Sequence, residues 1–289
     1  MLYKEYDPKV LKKLQKVELG ILKDFHEFCI SHDIEYFICG GTMLGAVRHG
    51  GFIPWDDDLD VGMTRPHYER FLKLAGEAEK EGDYALLNYH TQPAFPVMIT
   101  KWYKKGTLFC DEDAVTCGYE SGIAVDIFCF DQVADEEKAL RRQAMQTWIF
   151  GKLLILCQIS HPTIYAEGYK AKLAGAVATM ANRILKILHL PASLFYDLAD
   201  AGARKYEGRA TERVAFLYDP TPYTSMIPVD SIYPTREISF EGITVKCPAK
   251  PEVYLRKRYG ASYRELPPVE KRHNHPPMKL DFGSEEWDS

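Results

Sequence analysis

Four aspartates crowd into five positions at Asp56, Asp57, Asp58 and Asp60, shortly after the glycine pair Gly40–Gly41. Like charges so close repel, and a fold keeps them where a cation or another compensation answers them. If Trp55 to Val61 runs extended, side chains alternate faces with a period of two. Asp56, Asp58 and Asp60 then share one face, while Asp57 and Leu59 take the other. Three carboxylates along one edge suit a hard divalent cation, Mg²⁺ or Mn²⁺, which prefers oxygen ligands. Gly40, Gly41 and Thr42 offer a complementary feature. Glycines let the backbone approach a ligand, and free N–H groups at a helix start attract phosphate. Either feature alone is commonplace. In succession they describe a nucleotide site with phosphate on one side and its bridging metal on the other.

These residues need elements to place them. Ile34–Cys39 is a short β-type run ended by the glycines, Thr42 is suited to cap a brief helix through Val47, and Leu59–Met63 reads as a strand. Upstream, Asp7-Pro8 opens a helix on which Leu11, Leu14, Val17, Ile21, Leu22 and Phe25 recur at helical spacing. Downstream, Thr64-Arg65-Pro66 starts another helix, and short strands are expected at 84–88, 97–103 and 122–129. From Asp135 to about Glu207 the pattern becomes helical, with a break at His161-Pro162. Strand character returns at 236–246, with Glu241-Gly242 as a hairpin turn, and 252–259 is a short basic helix stopped by Gly260. The expected architecture is α+β (mixed α/β). One domain over 1–289 has a mixed sheet flanked by helices, a helical insertion at 135–207 and a C-terminal block, 230–275, that returns to the core.

Composition narrows the setting. With 289 residues, 46% hydrophobic and net charge −5, the chain is ordinary globular material with no global sign of a nucleic-acid partner. Its start is too polar for a signal peptide, and no apolar run is long enough to cross a bilayer. Seven cysteines without CxxC spacing read as reduced thiols, which places the chain in the cytoplasm. Charge is uneven: residues 138–190 hold eight Lys or Arg against one acid, Glu167, a balance of +7. Two readings stay open for that segment, a solvated basic face or peripheral contact with an anionic membrane surface.

Residues 38–63 resemble the signature of the LicD family, phosphorylcholine transferases related to fukutin-type ribitol-phosphate transferases on the nucleotidyltransferase fold. The resemblance continues in AVDIFCFD (124–131) and in FEGITVKCPAKPEVYLRKRYG (240–260), with Cys129 and Cys247-Pro248 departing from the usual pattern. It implies that Asp58 and Asp60 are a catalytic metal pair, that Asp126 is a third carboxylate on a neighbouring strand, and that Asp56 joins them as a ligand or close neighbour. Gly40, Gly41 and Thr42 become the phosphate turn. Arg48 is placed to neutralise phosphate or pair with an Asp, or it is a surface residue at a helix end. Arg272 and His275, in the basic stretch after the last motif, are assigned near the phosphates. The implied reaction moves a phosphoryl-alcohol headgroup from a CDP-activated donor, CDP-choline foremost, to a hydroxyl of a cell-surface glycan, teichoic acid or lipopolysaccharide. The acceptor is lipid-linked in many members, which points to the inner face of the membrane. A nucleotidyl transfer releasing pyrophosphate is the alternative. Trp102-Tyr103, Tyr119 and Tyr223 are aromatics near loops, but their spacing assigns no cage for a quaternary ammonium.

Overall fold

A computed structural model describes residues 3–160, 162, 168–219 and 223–284. The chain opens with α1 (Pro8–Ser31), where the Asp7 side chain accepts from the Lys9 amide at 2.8 Å and Pro8 starts the first turn. Next come β1 (Phe37–Ile38), α2 (Gly40–His49), β2 (Asp60–Thr64), α3 (Arg65–Ala78), β3 (Tyr84–Leu87) and β4 (Thr100–Lys104). They are followed by β5 (Leu108–Cys110), α4 (Glu112–Cys117) and β6 (Ala124–Gln132). Three helices come next: α5 (Glu137–Gln158), α6 (Gly168–Ile187) and α7 (Ala192–Ala203). The remainder holds β7 (Arg213–Ala215), β8 (Met226–Pro228), α8 (Val229–Ile232), β9 (Arg236–Phe240), β10 (Ile243–Cys247), α9 (Pro251–Tyr259) and β11 (Lys279–Asp281).

The main sheet runs β1-β2-β6-β4-β3, and β7 and β8 extend it from β6. β2 and β6 are parallel, while β1, β4 and β7 pair antiparallel to their neighbours, so the sheet is mixed. β6 is its axis. Its first half lies between β2 and β4, and its last residues pair with β7. Val125 and Ile127 of β6 and Val61 and Met63 of β2 are buried in the central core with the apolar face of α1.

Three local readings need correction. α2 starts at Gly40 and not after Thr42; Cys39 is its N-cap and makes no side-chain cap bond. Asp56–Leu59 is irregular, and the strand begins only at Asp60. The hairpin at 236–247 forms, with positive φ at Glu241 and Gly242, but among the described residues β9 and β10 pair with each other as a separate two-stranded sheet. Phe240, Val245 and Cys247 nevertheless sit in the central core.

α5, α6 and α7 pack around Leu154, Leu185 and Phe195. Buried polar bonds join this layer to the sheet: Arg65 of α3 donates to both oxygens of Asp131 on β6 at 2.7 and 2.6 Å and lies 3.6 Å from Asp200 of α7. His161 of the expected break lies outside the described residues. None of the seven cysteines forms a disulfide, and no helix among the described residues is long and apolar enough to cross a membrane.

Candidate active site

Sheet register assembles the site. Asp60 opens β2 directly opposite Asp126 of β6, and Asp126 stands opposite Lys101 of β4. Three charged residues thus lie in a row across three strands. The Lys101 ammonium donates to both Asp126 oxygens at 2.6 and 2.7 Å. Burial works to lower the Lys101 pKa, but the carboxylate against it prevails and holds it up. Burial pushes Asp126 up further than Lys101 pulls it down, and Asp58 adds to the push.

The glycine turn closes on the carboxylates themselves. Gly41 N–H donates to Asp60 Oδ2 at 3.2 Å, and Thr42 Oγ1 accepts from the Asp60 amide at 2.7 Å. Gly40, at φ +51°, donates its N–H to the Tyr254 hydroxyl at 3.1 Å. A Cβ on Gly40 would stand 1.9 Å from Asp60 Oδ2, and one on Gly41 2.6 Å from Asp56 Oδ2. A side chain at either position would displace the Asp56 or Asp60 carboxylate, and the positive φ of Gly40 favours glycine there as well. The inner side of the turn lines a cavity of about 10 Å³ with Asp60, Tyr254 and Arg258, room for one water at most.

The loop before β2 sorts its acids as the period of two suggests, though by contacts and not by strand pleating. Asp57 turns away and is fully buried, accepting from Tyr6 Oη at 2.8 Å and from the His275 amide at 2.8 and 2.9 Å. Burial and then Asp58 raise its pKa to about 6 against those hydrogen bonds. Asp56 and Asp60 are pushed well up, first by burial and next by Asp58. Asp58 is the more open member, its side chain 34% exposed and Oδ2 3.7 Å from His275 Nδ1. Among the described residues no three His, Cys, Asp or Glu side chains are already drawn into a metal cage. The donor set is nonetheless all carboxylate, mutually repelling and short of cations, which fits a hard divalent ion.

The C-terminal segment reaches the same loop. Asn274 is stitched to the backbone of Lys4 by two hydrogen bonds at 2.9 and 2.7 Å, which brings His275 onto Asp57 and Asp58. Arg272 lies 4.0 Å from the centre of the Trp55 ring, and its buried Nε has no hydrogen-bond partner among the described residues. Arg48 donates to the carbonyls of Tyr263 and Glu265 and to His49; among the described residues it forms no ion pair with an Asp, though its charge acts to lower the pKa of Asp56. Trp102 and Tyr119 are buried in cores and offer no open aromatic face to a ligand.

Three further residues contribute that the sequence did not assign to the site. Glu18 of α1 is fully buried beneath the acidic loop with Oε2 unpartnered, and burial, Asp58 and Asp57 drive its pKa well up. An acid on an otherwise apolar helical stripe was its visible signal. Gln15, one turn earlier, donates to the Asp56 carbonyl at 2.9 Å. Arg258 of α9 bonds Asp219 and Ser225 and adds positive charge near Asp60.

Residues 33–145 match the family described as LicD/FKTN/FKRP, nucleotidyltransferase domain. Over those residues the chain is similar to LicD-type nucleotidyltransferase domains. The chain is 36% identical over 132 residues to the lipopolysaccharide cholinephosphotransferase LicD of Haemophilus influenzae, covering 45% of this chain and 48% of that protein. It is 34% identical over 55 residues to the human ribitol 5-phosphate transferase FKRP, covering 19% of this chain and 10% of that one. An uncharacterized Rickettsia prowazekii protein, RP689, is 56% identical over 62 residues, 22% of this chain and 23% of its own. The chain thus spans about half the length, or less, of the curated relatives it matches. The matched residues contain α2, the acidic loop, Lys101 and Asp126, whereas Glu18, Tyr254, Arg258, Arg272 and His275 lie outside them.

Proposed function

We propose that this chain is a divalent-metal-dependent transferase. It moves a phosphoryl-alcohol headgroup, phosphocholine foremost, from a CDP-activated donor to a hydroxyl of a cell-surface glycan, teichoic acid or lipopolysaccharide. The observation that carries this reading is the meeting of Asp56, Asp58, Asp60 and Asp126 beside the start of α2, with few cations to answer them. The names of the relatives, a cholinephosphotransferase and a ribitol 5-phosphate transferase, supply the headgroup class.

In this reading Asp58 and Asp60, aided by Asp56 and Asp126, hold Mg²⁺ or Mn²⁺, which supplies charge neutralisation for the donor diphosphate and the departing CMP. The diphosphate comes in from the side of Asp58, whose side chain is 34% exposed. His275 stands on that side, 3.7 Å from Asp58, and Arg272, three residues before His275, lies against Trp55. The acceptor oxygen attacks the headgroup phosphorus, the bond from that phosphorus to the CMP oxygen breaks, and CMP leaves. The hydroxyl proton passes to a carboxylate oxygen of Asp126, or of the cluster Asp left free of metal. Lys101 holds Asp126 in place for either role. A lipid-linked acceptor would put the reaction at the cytoplasmic face of a membrane.

Incubation with a panel of CDP-alcohols, Mg²⁺ or Mn²⁺ and acceptor glycan tests this. CMP release with headgroup-labelled glycan is expected, and Asp58→Asn with Asp60→Asn should abolish it. Pyrophosphate release from a nucleoside triphosphate, or near wild-type turnover by the double variant, overturns the reading.

A further inference from the structure

α6 buries one side and leaves a second apolar side bare. Ala178, Asn182 and Leu185 are its buried positions, and Asn182 donates to the Leu156 carbonyl of α5 at 2.7 Å. On the opposite side Leu173, Val177, Met180, Ile184 and Ile187 recur at steps of four, three, four and three, which is one stripe of a helix. Each of these five is about half exposed or more, Leu173 by 62% and Ile187 by 73%. Scattered surface leucines need no explanation, but a continuous second stripe marks an interaction surface.

The charge beside the stripe says what covers it. α6 carries Lys170, Lys172, Arg183 and Lys186 and no acidic residue. At 100° per residue, Lys172 and Arg183 fall on the flank of the stripe, and both are exposed. α5 continues the character, with an apolar groove of about 460 Å³ between Met145, Ile149 and Phe150 and rimmed by Arg141 and Arg142. Arg141 is paired with Glu137, 3.2 Å away on the same helix. An apolar stripe with a cationic flank and no acids has the composition of a helix that lies in a membrane interface. A second copy of this chain is the poorer occupant, since a self-complementary contact sets the same basic flank against itself.

We propose that α6 is a membrane-docking helix. Its Leu173–Ile187 stripe enters the boundary between headgroups and acyl chains of an anionic bilayer, with Lys172 and Arg183 at the level of the lipid phosphates. The docking needs no donor, metal or acceptor, so its test is independent of the proposed transfer reaction.

The full chain is floated with phosphatidylcholine vesicles that contain or lack phosphatidylglycerol, at low and raised salt. Binding is expected only to the anionic vesicles and should weaken with salt. Lys172→Gln, Arg183→Gln and Lys186→Gln should each weaken it about fivefold, and together about 100-fold. Val177→Ser with Met180→Ser and Ile184→Ser should abolish it. These side chains point to solvent, so an unchanged circular dichroism spectrum and melting curve confirm that the fold is kept. Absence of binding, equal binding to neutral vesicles, or wild-type binding by the folded serine variant each overturns the proposal. A wild-type dimer that the serine variant converts to monomer, without lipid binding by either, assigns the stripe to a second copy instead.

Discussion

Lys101→Met tests how the site keeps its carboxylates charged. Lys101 is mostly buried and gives Asp126 two charge-assisted hydrogen bonds at 2.6 and 2.7 Å, with side-chain exposures of 20% and 14%. Breaking a fully buried pair by removing one partner costs about 3–5 kcal/mol, because the other charge is stranded. This pair keeps some contact with water, so about 2–3 kcal/mol is the appropriate figure. In a protein of this size each kcal/mol moves the melting temperature by about 2–4 °C, so a fall of about 4–12 °C is expected in chelator. The mechanism predicts two further results. Adding Asp126→Asn to Lys101→Met should recover part of the loss, because the stranded charge is gone and the cycle is non-additive. Mg²⁺ should raise the melting temperature of Lys101→Met more than that of the wild type, because a cation can replace the lost ammonium. Differential scanning calorimetry on the two single variants and the double variant reads all three effects. A melting point for Lys101→Met within about 1 °C of wild type, or strict additivity in the cycle, refutes the compensation argument.

Gly41→Ala should separate function from stability. Its new Cβ would meet the Asp56 carboxylate at 2.6 Å, and the far end of a side chain can move aside. The fold should therefore lose only about 1 kcal/mol while Asp56 leaves its position, and Mn²⁺ affinity should fall about tenfold or more by titration calorimetry. Gly40→Ala should be worse on both counts, since φ is +51° and the Cβ would lie 1.9 Å from Asp60 Oδ2. Stability in chelator should also fall as pH rises. Glu18, Asp56 and Asp60 are raised well above ordinary carboxylates, and Asp57 stands at about 6 against an ordinary 3.8. A raised native pKa means that the folded state holds its proton more tightly than the unfolded chain. The benefit is whole below about pH 4 and is lost as pH climbs through 6 and beyond, with Asp57 alone contributing up to about 3 kcal/mol. Urea denaturation from pH 4.5 to 8 should show the decline, and Mg²⁺ should flatten its upper end. A rising midpoint over that range in chelator contradicts the burial of these acids.

The acidic loop shows which parts of such a site are legible from residue order. The separation of Asp57 from Asp56, Asp58 and Asp60 follows from counting by two, yet its physical cause is Tyr6 and His275 closing over Asp57 from the two ends of the chain. Glu18 was detectable as a carboxylate at the i+4 position from Leu14 on a stripe that is otherwise apolar. Lys101 gave no local signal. Its meeting with Asp126 depends on antiparallel pairing of β4 with β6, and a shift of one residue would turn the two to opposite faces. That register is set by the buried Val125 and Ile127, which flank Asp126, and by Trp102 beside Lys101. Thr42 was misread for a related reason: a hydroxyl near a helix start suggests a cap, but here Cys39 takes that position and the hydroxyl receives the Asp60 amide. Each miss is a long-range contact: Lys101 answers the charge of Asp126, Thr42 takes the Asp60 backbone amide, and Glu18 lies buried against the cluster. The carboxylates are local in sequence and the groups that make them tolerable are not. Replacing Val125 or Ile127 should thus disturb the site as surely as replacing Lys101, because alternating apolar residues place ammonium and carboxylate on the same face.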